Sequence, residues 1–194
     1  LPMVVDVDRF KIKTLKKDGK FTFLYVGRII EIKNIQQLIN AFQKGFTNTN
    51  VHLKIVGSGG LFNKLKSAYV NVSNIEFTGA IYGEELVNIY KRSHVFVLPS
   101  LFEPWGLVVN EAMASGLPVI SSKFVGSNYD LIKDKNTGLI FNPEKEGDLT
   151  AKMLEIYQNK TKFNSLSENA YNLMHSYWNY NLFKKQLLSA INKI

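Results

Sequence analysis

VFVLPSLFEPWGLVVNEAMASGLPVIS, residues 95–121, runs from one strand-like apolar stretch through a loop and a helical segment to the next. VFVLP (95–99) and LPVIS (117–121) have strand length and composition, and the segment between them carries two glutamates eight positions apart, Glu103 and Glu111. Pro104 restricts Glu103 to extended geometry and prepares a helix start near Trp105–Gly106. The first amides of such a helix have no intrahelical partner and form a site for an anion such as a phosphate. Glu111 is surrounded by Leu107, Val108, Val109, Ala112, Met113 and Ala114, and a helix apolar all round is normally buried. A buried carboxylate needs a partner, and a sugar diol, with two hydroxyl donors at carboxylate spacing, is one such partner. The structural alternatives are a solvated Glu103 and a Glu111 satisfied by a buried Arg, Lys or backbone group.

Outward from this stretch the same alternation continues. FTFLYV (21–26), VHLKIV (51–56), NIEFT (74–78) and GLIFN (138–142) complete six strand candidates. Ile35, Leu38, Ile39 and Phe42 mark one helical face, Leu61, Leu65 and Ala68 a second, and Leu86, Ile89 and Tyr90 a third. Strands alternating with helices predict an α/β fold, a Rossmann-like parallel sheet flanked by helices. Beyond Pro143 the pattern is helical to Ile194, a C-terminal helical tail that includes the aromatic stretch SYWNYNLF (176–183). Residues 1–194 read as a single domain, and the opening Leu1-Pro2-Met3 begins as if cut from a longer protein.

The 194 residues, 45% hydrophobic and 12% aromatic, suffice for a full core. The absence of cysteine removes disulfides, thiolate zinc sites and a Cys nucleophile, and favours a reducing, cytoplasmic setting. No run reaches the ~18 apolar residues needed to cross a bilayer. The net charge of +8 suits polyanions or an anionic membrane surface, but the lysines are dispersed. Peripheral contact with the cytoplasmic face of a membrane and a plain lysine-rich surface fit it equally. Nucleic-acid binding is not expected, because the aromatics fall at core positions.

In open α/β sheets ligands bind beyond the carboxyl ends of the strands. Gly27-Arg28, Gly57-Ser58-Gly59-Gly60, Gly79-Ala80-Ile81-Tyr82 and Ser100 through Glu103 fall there, with Lys33 close behind. Arg28 can grip a phosphate in a fork and Lys33 acts as a mobile point charge. Alternatively, Arg28 pairs with Glu31 and Lys33 is a solvated helix start. GSGG (57–60) lacks the third spaced glycine of a dinucleotide fingerprint. No Walker lysine and no G-x-S-x-G elbow occurs. His52, His94 and His175 are scattered and lack metal spacing, so no metal is expected.

YVGRIIEIKNIQQLINAF (25–42), LKIVGSGG (53–60), the run from Ile75 to Ile120 and GSNYDLIKDKNTGLIFNP (126–143) together resemble glycosyltransferase family 4. The match is to the C-terminal, donor-binding domain of its two-domain B-type fold. VVDVDRF (4–10) looks like the strand leading out of the interdomain linker. The resemblance implies a retaining sugar transfer from a UDP- or GDP-linked donor, without a cofactor, to a glycan or lipid-linked acceptor. That chemistry belongs to surface polysaccharide or glycolipid synthesis. It gives Arg28 and Lys33 the pyrophosphate and the charge on the leaving nucleotide, and Glu103 the sugar hydroxyls. Backbone amides of Trp105, Gly106 and Leu107 lie near sugar and phosphates, Glu111 takes the ribose diol, and Gly27, Gly57 and Ala80–Tyr82 border the donor. An N-terminal acceptor domain absent from this chain is the implied partner, so the fragment is expected to bind donor without transferring. Departures are Gly126-Ser127-Asn128-Tyr129-Asp130 where relatives often have Gly-Gly-x-Pro-Glu, Asn34 after Lys33 in place of Gly, and His94 where Asp is frequent. Competing readings are an epimerase-like sugar-nucleotide enzyme, a sugar phosphorylase, for which no pyridoxal-phosphate lysine site is evident, and a non-catalytic nucleotide-binding module.

Overall fold

The computed structural model describes residues 1–13 and 19–192. Six strands form one parallel sheet: β1 (Thr22–Val26), β2 (His52–Val56), β3 (Ile75–Gly79), β4 (Val95–Leu98), β5 (Val119–Ser122) and β6 (Gly138–Phe141). Their order is β3-β2-β1-β4-β5-β6. All six coincide with the strand candidates because a parallel strand covered on both faces must be apolar almost throughout. Phe23, Leu24 and Tyr25 of β1 and all four residues of β4 are buried. Each such side chain contributes roughly 1.5–3 kcal/mol by leaving water.

Five helices cross between successive strands: α1 (Ile35–Phe46), α2 (Phe62–Ala68), α3 (Gly83–Arg92), α4 (Leu107–Ala114) and α5 (Asn128–Leu131). The face expected on α1 is buried at Ile35, Leu38, Ile39 and Phe42. On α3 the deepest residues are Val87 and Tyr90, with Leu86 and Ile89 only partly covered.

The tail divides into α6 (Asp148–Gln158), α7 (Lys160–Ser176) and α8 (Tyr180–Ile191). Asparagines divide it. Asn159 Oδ1 accepts from the Lys162 amide at 2.9 Å and Asn179 Oδ1 from the Asn181 amide at 3.0 Å, each opening a new helix as an N-cap. The helix α6 packs on α1 and α7 on α4, whereas α8 contributes no buried residue.

The strand expected at residues 4–10 is absent. Val7–Phe10 forms a 3-10 turn, opened by Asp6, whose carboxylate accepts from the Asp8 amide at 3.2 Å. The alternation of VVDVDRF imitates a strand, but the local Asp cap satisfies the backbone instead of a ladder. Phe10 then drops into the core edge-on to Tyr90, centroids 6.0 Å apart.

Chain order reverses between β1 and β4, the two central strands. This switch point opens a crevice at their carboxyl ends, and the loops carrying Arg28 and Glu103 border it.

Candidate functional site

Three strand-end loops are stitched together by their backbones. The Gly27 amide donates to the Val56 carbonyl (3.0 Å), Ile29 to Ser58 (2.8 Å) and Gly57 to Gly79 (2.8 Å). Gly57 has φ 141°, and a Cβ there would lie 1.8 Å from the Gly27 carbonyl oxygen, so no side chain fits. The buried Tyr25 hydroxyl donates to the Arg28 carbonyl at 2.8 Å. It fixes the backbone of Arg28 and leaves the guanidinium exposed. Burial, with the nearby Glu103 charge, pushes the Tyr25 phenol well above its ordinary range, so it remains a donor.

Lys33 ends a 3-10 turn, Glu31–Lys33, that is closed by Asn34 in the left-handed region at φ 54°. Asparagine tolerates that conformation better than other non-glycine residues, which explains why it can stand where a glycine is common. The Leu101 amide donates to the Ile32 carbonyl at 2.8 Å and draws the loop after β4 against this turn. Lys33 Nζ and Glu103 Oε2 consequently form an ion pair, with side chains only 14% and 15% exposed. Neither residue is the solvated group that the structural alternative offered. Among the described residues Arg28 forms no ion pair with Glu31.

Glu103 is held from its other side as well. Its amide donates to the Phe124 carbonyl (3.2 Å) and its carbonyl accepts from the Gly126 amide (2.9 Å). Gly106 at φ 86° turns the chain into α4, which begins at Leu107, one residue beyond the expected start. Its missing Cβ would meet Glu103 Cγ and Leu98 Cδ2, each at 3.1 Å, so carboxylate and helix start are in contact. Among the described residues the amides of Trp105, Gly106, Leu107 and Val108 donate to no backbone carbonyl.

A cavity of about 290 Å³ lies between Gly27, Arg28, Lys33, Glu103, Gly106 and Leu107. A second, of about 230 Å³, shares Gly27 and Arg28 and continues along the strand ends past Gly57, Ala80, Ile81 and Tyr82. Two neighbouring hollows thus gather ten of the twelve expected site residues. The other two stand apart. The Trp105 indole is turned away, donating to Asn110 Oδ1 at 2.9 Å and stacking on Trp178 with centroids 5.9 Å apart. Glu111 lies outside both linings, and its Oε2 accepts from the Tyr90 hydroxyl at 2.8 Å. Burial holds the Glu111 carboxyl above the usual carboxylate range, while the Tyr90 bond and the charge of Arg9 pull the other way.

Tyr25 and Tyr90 belong to this construction, and the sequence does not single them out for it. A tyrosine within an apolar strand or on a core helix face is the available signal, because a buried phenol must find a partner. His94 is structural: it is buried, and its Nδ1 accepts from the Thr22 amide at 3.2 Å. No helix among the described residues is long and apolar enough to cross a membrane.

A family model described as "Glycosyl transferases group 1" matches residues 6–173. The GDP-mannose-dependent alpha-mannosyltransferase of Mycobacterium tuberculosis is 38% identical over 144 residues, covering 70% of this chain and 36% of that protein. The Escherichia coli UDP-Gal:alpha-D-GlcNAc-diphosphoundecaprenol alpha-1,3-galactosyltransferase is 31% identical over 188 residues, 89% of this chain and 48% of that one. The crystal structure of Anabaena HepE in complex with UDP-glucose has the same fold, with a TM-score of 0.82 at 17% identity over 98% of this chain and 56% of that one. The chain spans less than half the length of these two curated relatives.

Proposed function

The chain belongs to the group 1 glycosyl transferases, and from that premise we propose that it is the donor-binding portion of a retaining enzyme that moves a sugar from a nucleoside diphosphate to a glycan or lipid-linked acceptor. One observation carries the reading. Arg28, Lys33, Glu103 and the start of α4 border a single cavity at the switch point of the sheet. In this reading the pyrophosphate lies against Arg28, Lys33 and the unbonded amides from Trp105 to Leu107. Glu103 accepts from hydroxyls of the transferred sugar. The second cavity takes the base along Ala80–Tyr82, and the ribose reaches past the two linings to set its diol on Glu111.

Transfer creates negative charge on the departing nucleotide. Cations and amides fixed in advance stabilise that charge with little reorganisation, so Arg28 and Lys33 fill the part a metal ion plays elsewhere. Lys33 has three N–H donors and can keep Glu103 while meeting a phosphate oxygen. The remainder of a longer protein supplies the acceptor site, and the chain alone binds donor without turnover. The donors for which the two relatives are named, GDP-mannose and UDP-Gal, support a nucleotide sugar and leave the base to experiment. A cytoplasmic enzyme working at a membrane face fits both the basic surface and a lipid-linked acceptor.

Calorimetric titration with UDP, GDP, ADP and their sugar conjugates, beside Arg28→Ala and Glu111→Gln, tests the proposal. Saturable binding of one nucleotide, weakened about tenfold by each substitution, is expected from the loss of a charge-assisted hydrogen bond. Affinity indifferent to both substitutions would sink it.

A further inference from the structure

Glu111 is half-buried on α4, next to Asn110 and otherwise among apolar or small side chains, and its carboxylate accepts a hydrogen bond from a group on a different helix. Tyr90 of α3 is fully buried, its ring fixed edge-on by Phe10 (6.0 Å, 78°) and tilted against Phe96 (6.1 Å, 49°). A phenol clamped in this way can swing neither its ring nor its oxygen, so its hydroxyl defines a fixed point. Glu111 Oε2 sits 2.8 Å from that point. Among the described residues, Oε1 of the same carboxylate receives no hydrogen bond.

We propose that Tyr90 is the positioning residue of the ribose-binding carboxylate, holding Oε2 of Glu111 so that Oε1 is presented to the diol. The inference rests on the reading of Glu111 given above. An unrestrained glutamate loses rotamer freedom when a ligand fixes it, and a carboxylate already fixed does not. Two further groups bear on the site. Arg9, from the turn Val7–Phe10, attracts the carboxylate from the α3 side of α4. His175 of α7 is occupied by the Ala114 carbonyl at 2.9 Å and lies at the far end of the helix. Neither one touches an oxygen of Glu111, which leaves Tyr90 as its aligning contact among the described residues.

The test compares the ribonucleoside diphosphate that binds with its 2′-deoxy analogue, by titration of the full chain and of Tyr90→Phe. In the unaltered chain the deoxy analogue binds about tenfold more weakly, the loss of one charge-assisted hydrogen bond. In Tyr90→Phe the ribonucleotide weakens about fivefold and the deoxy analogue does not change, so the ratio between them falls to about two. A general loosening of the fold would weaken both ligands alike. A ratio of one in the unaltered chain overturns the diol reading of Glu111 itself. A tenfold ratio that survives in Tyr90→Phe overturns the positioning role and leaves Glu111 standing. Should Tyr90→Phe not fold, isotopic labelling of tyrosine ring carbons in the unaltered chain reads the same coupling. The buried phenol's resonance must shift with the ribonucleotide and stay still with the deoxy analogue, and equal responses refute the proposal.

Discussion

Breaking the Lys33–Glu103 pair is the perturbation whose size the structure fixes best. Exposed ion pairs contribute about 0–1 kcal/mol, whereas removing one partner of a deeply buried pair costs about 3–5 kcal/mol because the other charge is left without water or counterion. With side chains 14% and 15% exposed, this pair lies between those limits, and a coupling of about 2 kcal/mol follows. Lys33→Met keeps the aliphatic bulk and removes the charge, stranding the Glu103 carboxylate against Leu98 and Gly106. Glu103→Gln strands the ammonium, which has a longer arm to reach solvent and loses less. The double variant strands neither. Urea denaturation of the four proteins should therefore give single-variant losses that do not add, with the double variant about 2 kcal/mol more stable than their sum. For a chain of this size, that energy is about 4–8 °C in melting temperature. Additivity within about 0.5 kcal/mol would refute the reasoning, since it would mean that the two charges are solvated independently.

Two further outcomes follow from the same structure. The folded protein holds Glu111 above its ordinary pKa of 4.5, chiefly by burial, so the ionised carboxylate opposes folding. That opposition is absent below the unfolded value and grows as pH rises through the folded one. Glu111→Gln should then gain stability over the unaltered chain as pH rises from about the unfolded value of 4.5 until the folded carboxyl is ionised, and a gap in urea midpoints that stays constant or narrows over that rise would contradict this. Asn110 is fully buried, accepts from Trp105 Nε1 and donates to the Met3 carbonyl, both at 2.9 Å. Asn110→Leu leaves the Trp105 indole N–H unpartnered at a cost of about 1–3 kcal/mol, while the Met3 carbonyl keeps the Trp178 Nε1 bond at 2.8 Å. Because Trp105 and Trp178 are the chain's two tryptophans, a red shift of indole emission before global unfolding should report it, and unchanged emission would argue that the cluster tolerates the loss.

How much of this was legible in the sequence depends on whether the cause is local. FTFLYV and VFVLP announce buried parallel strands because both faces of such strands are covered, and the loops behind them fall at the carboxyl ends by topology alone. Arg28, Lys33 and Glu103 could therefore be placed on one edge before any coordinates. VVDVDRF misleads because its alternation has the period of a strand, while the deciding event is one carboxylate capping a turn at Asp6. The pairing of Lys33 with Glu103 spans 70 positions and that of Tyr90 with Glu111 spans 21 on separate helices. No local pattern links such residues. The first pair is set by the Leu101–Ile32 backbone bond, the second by how α3 and α4 lie on the sheet. Tyr90 reads from its helix as a core residue whose buried phenol needs a partner, but nothing local names Glu111 as that partner.

The pairing changes what the cations of the site can be worth. Arg28 is exposed, and solvent and salt screen its attraction for a phosphate. Lys33 is mostly covered and acts through a less polarisable medium, where the same charge does more. It also stands beside a carboxylate that would repel the pyrophosphate if left alone. Removing Lys33 therefore subtracts an attraction and uncovers a repulsion, whereas removing Arg28 subtracts only a screened attraction. The lysine, which sequence alone cannot distinguish from the solvated start of a helix, is on this argument the cation on which the proposed donor affinity depends most.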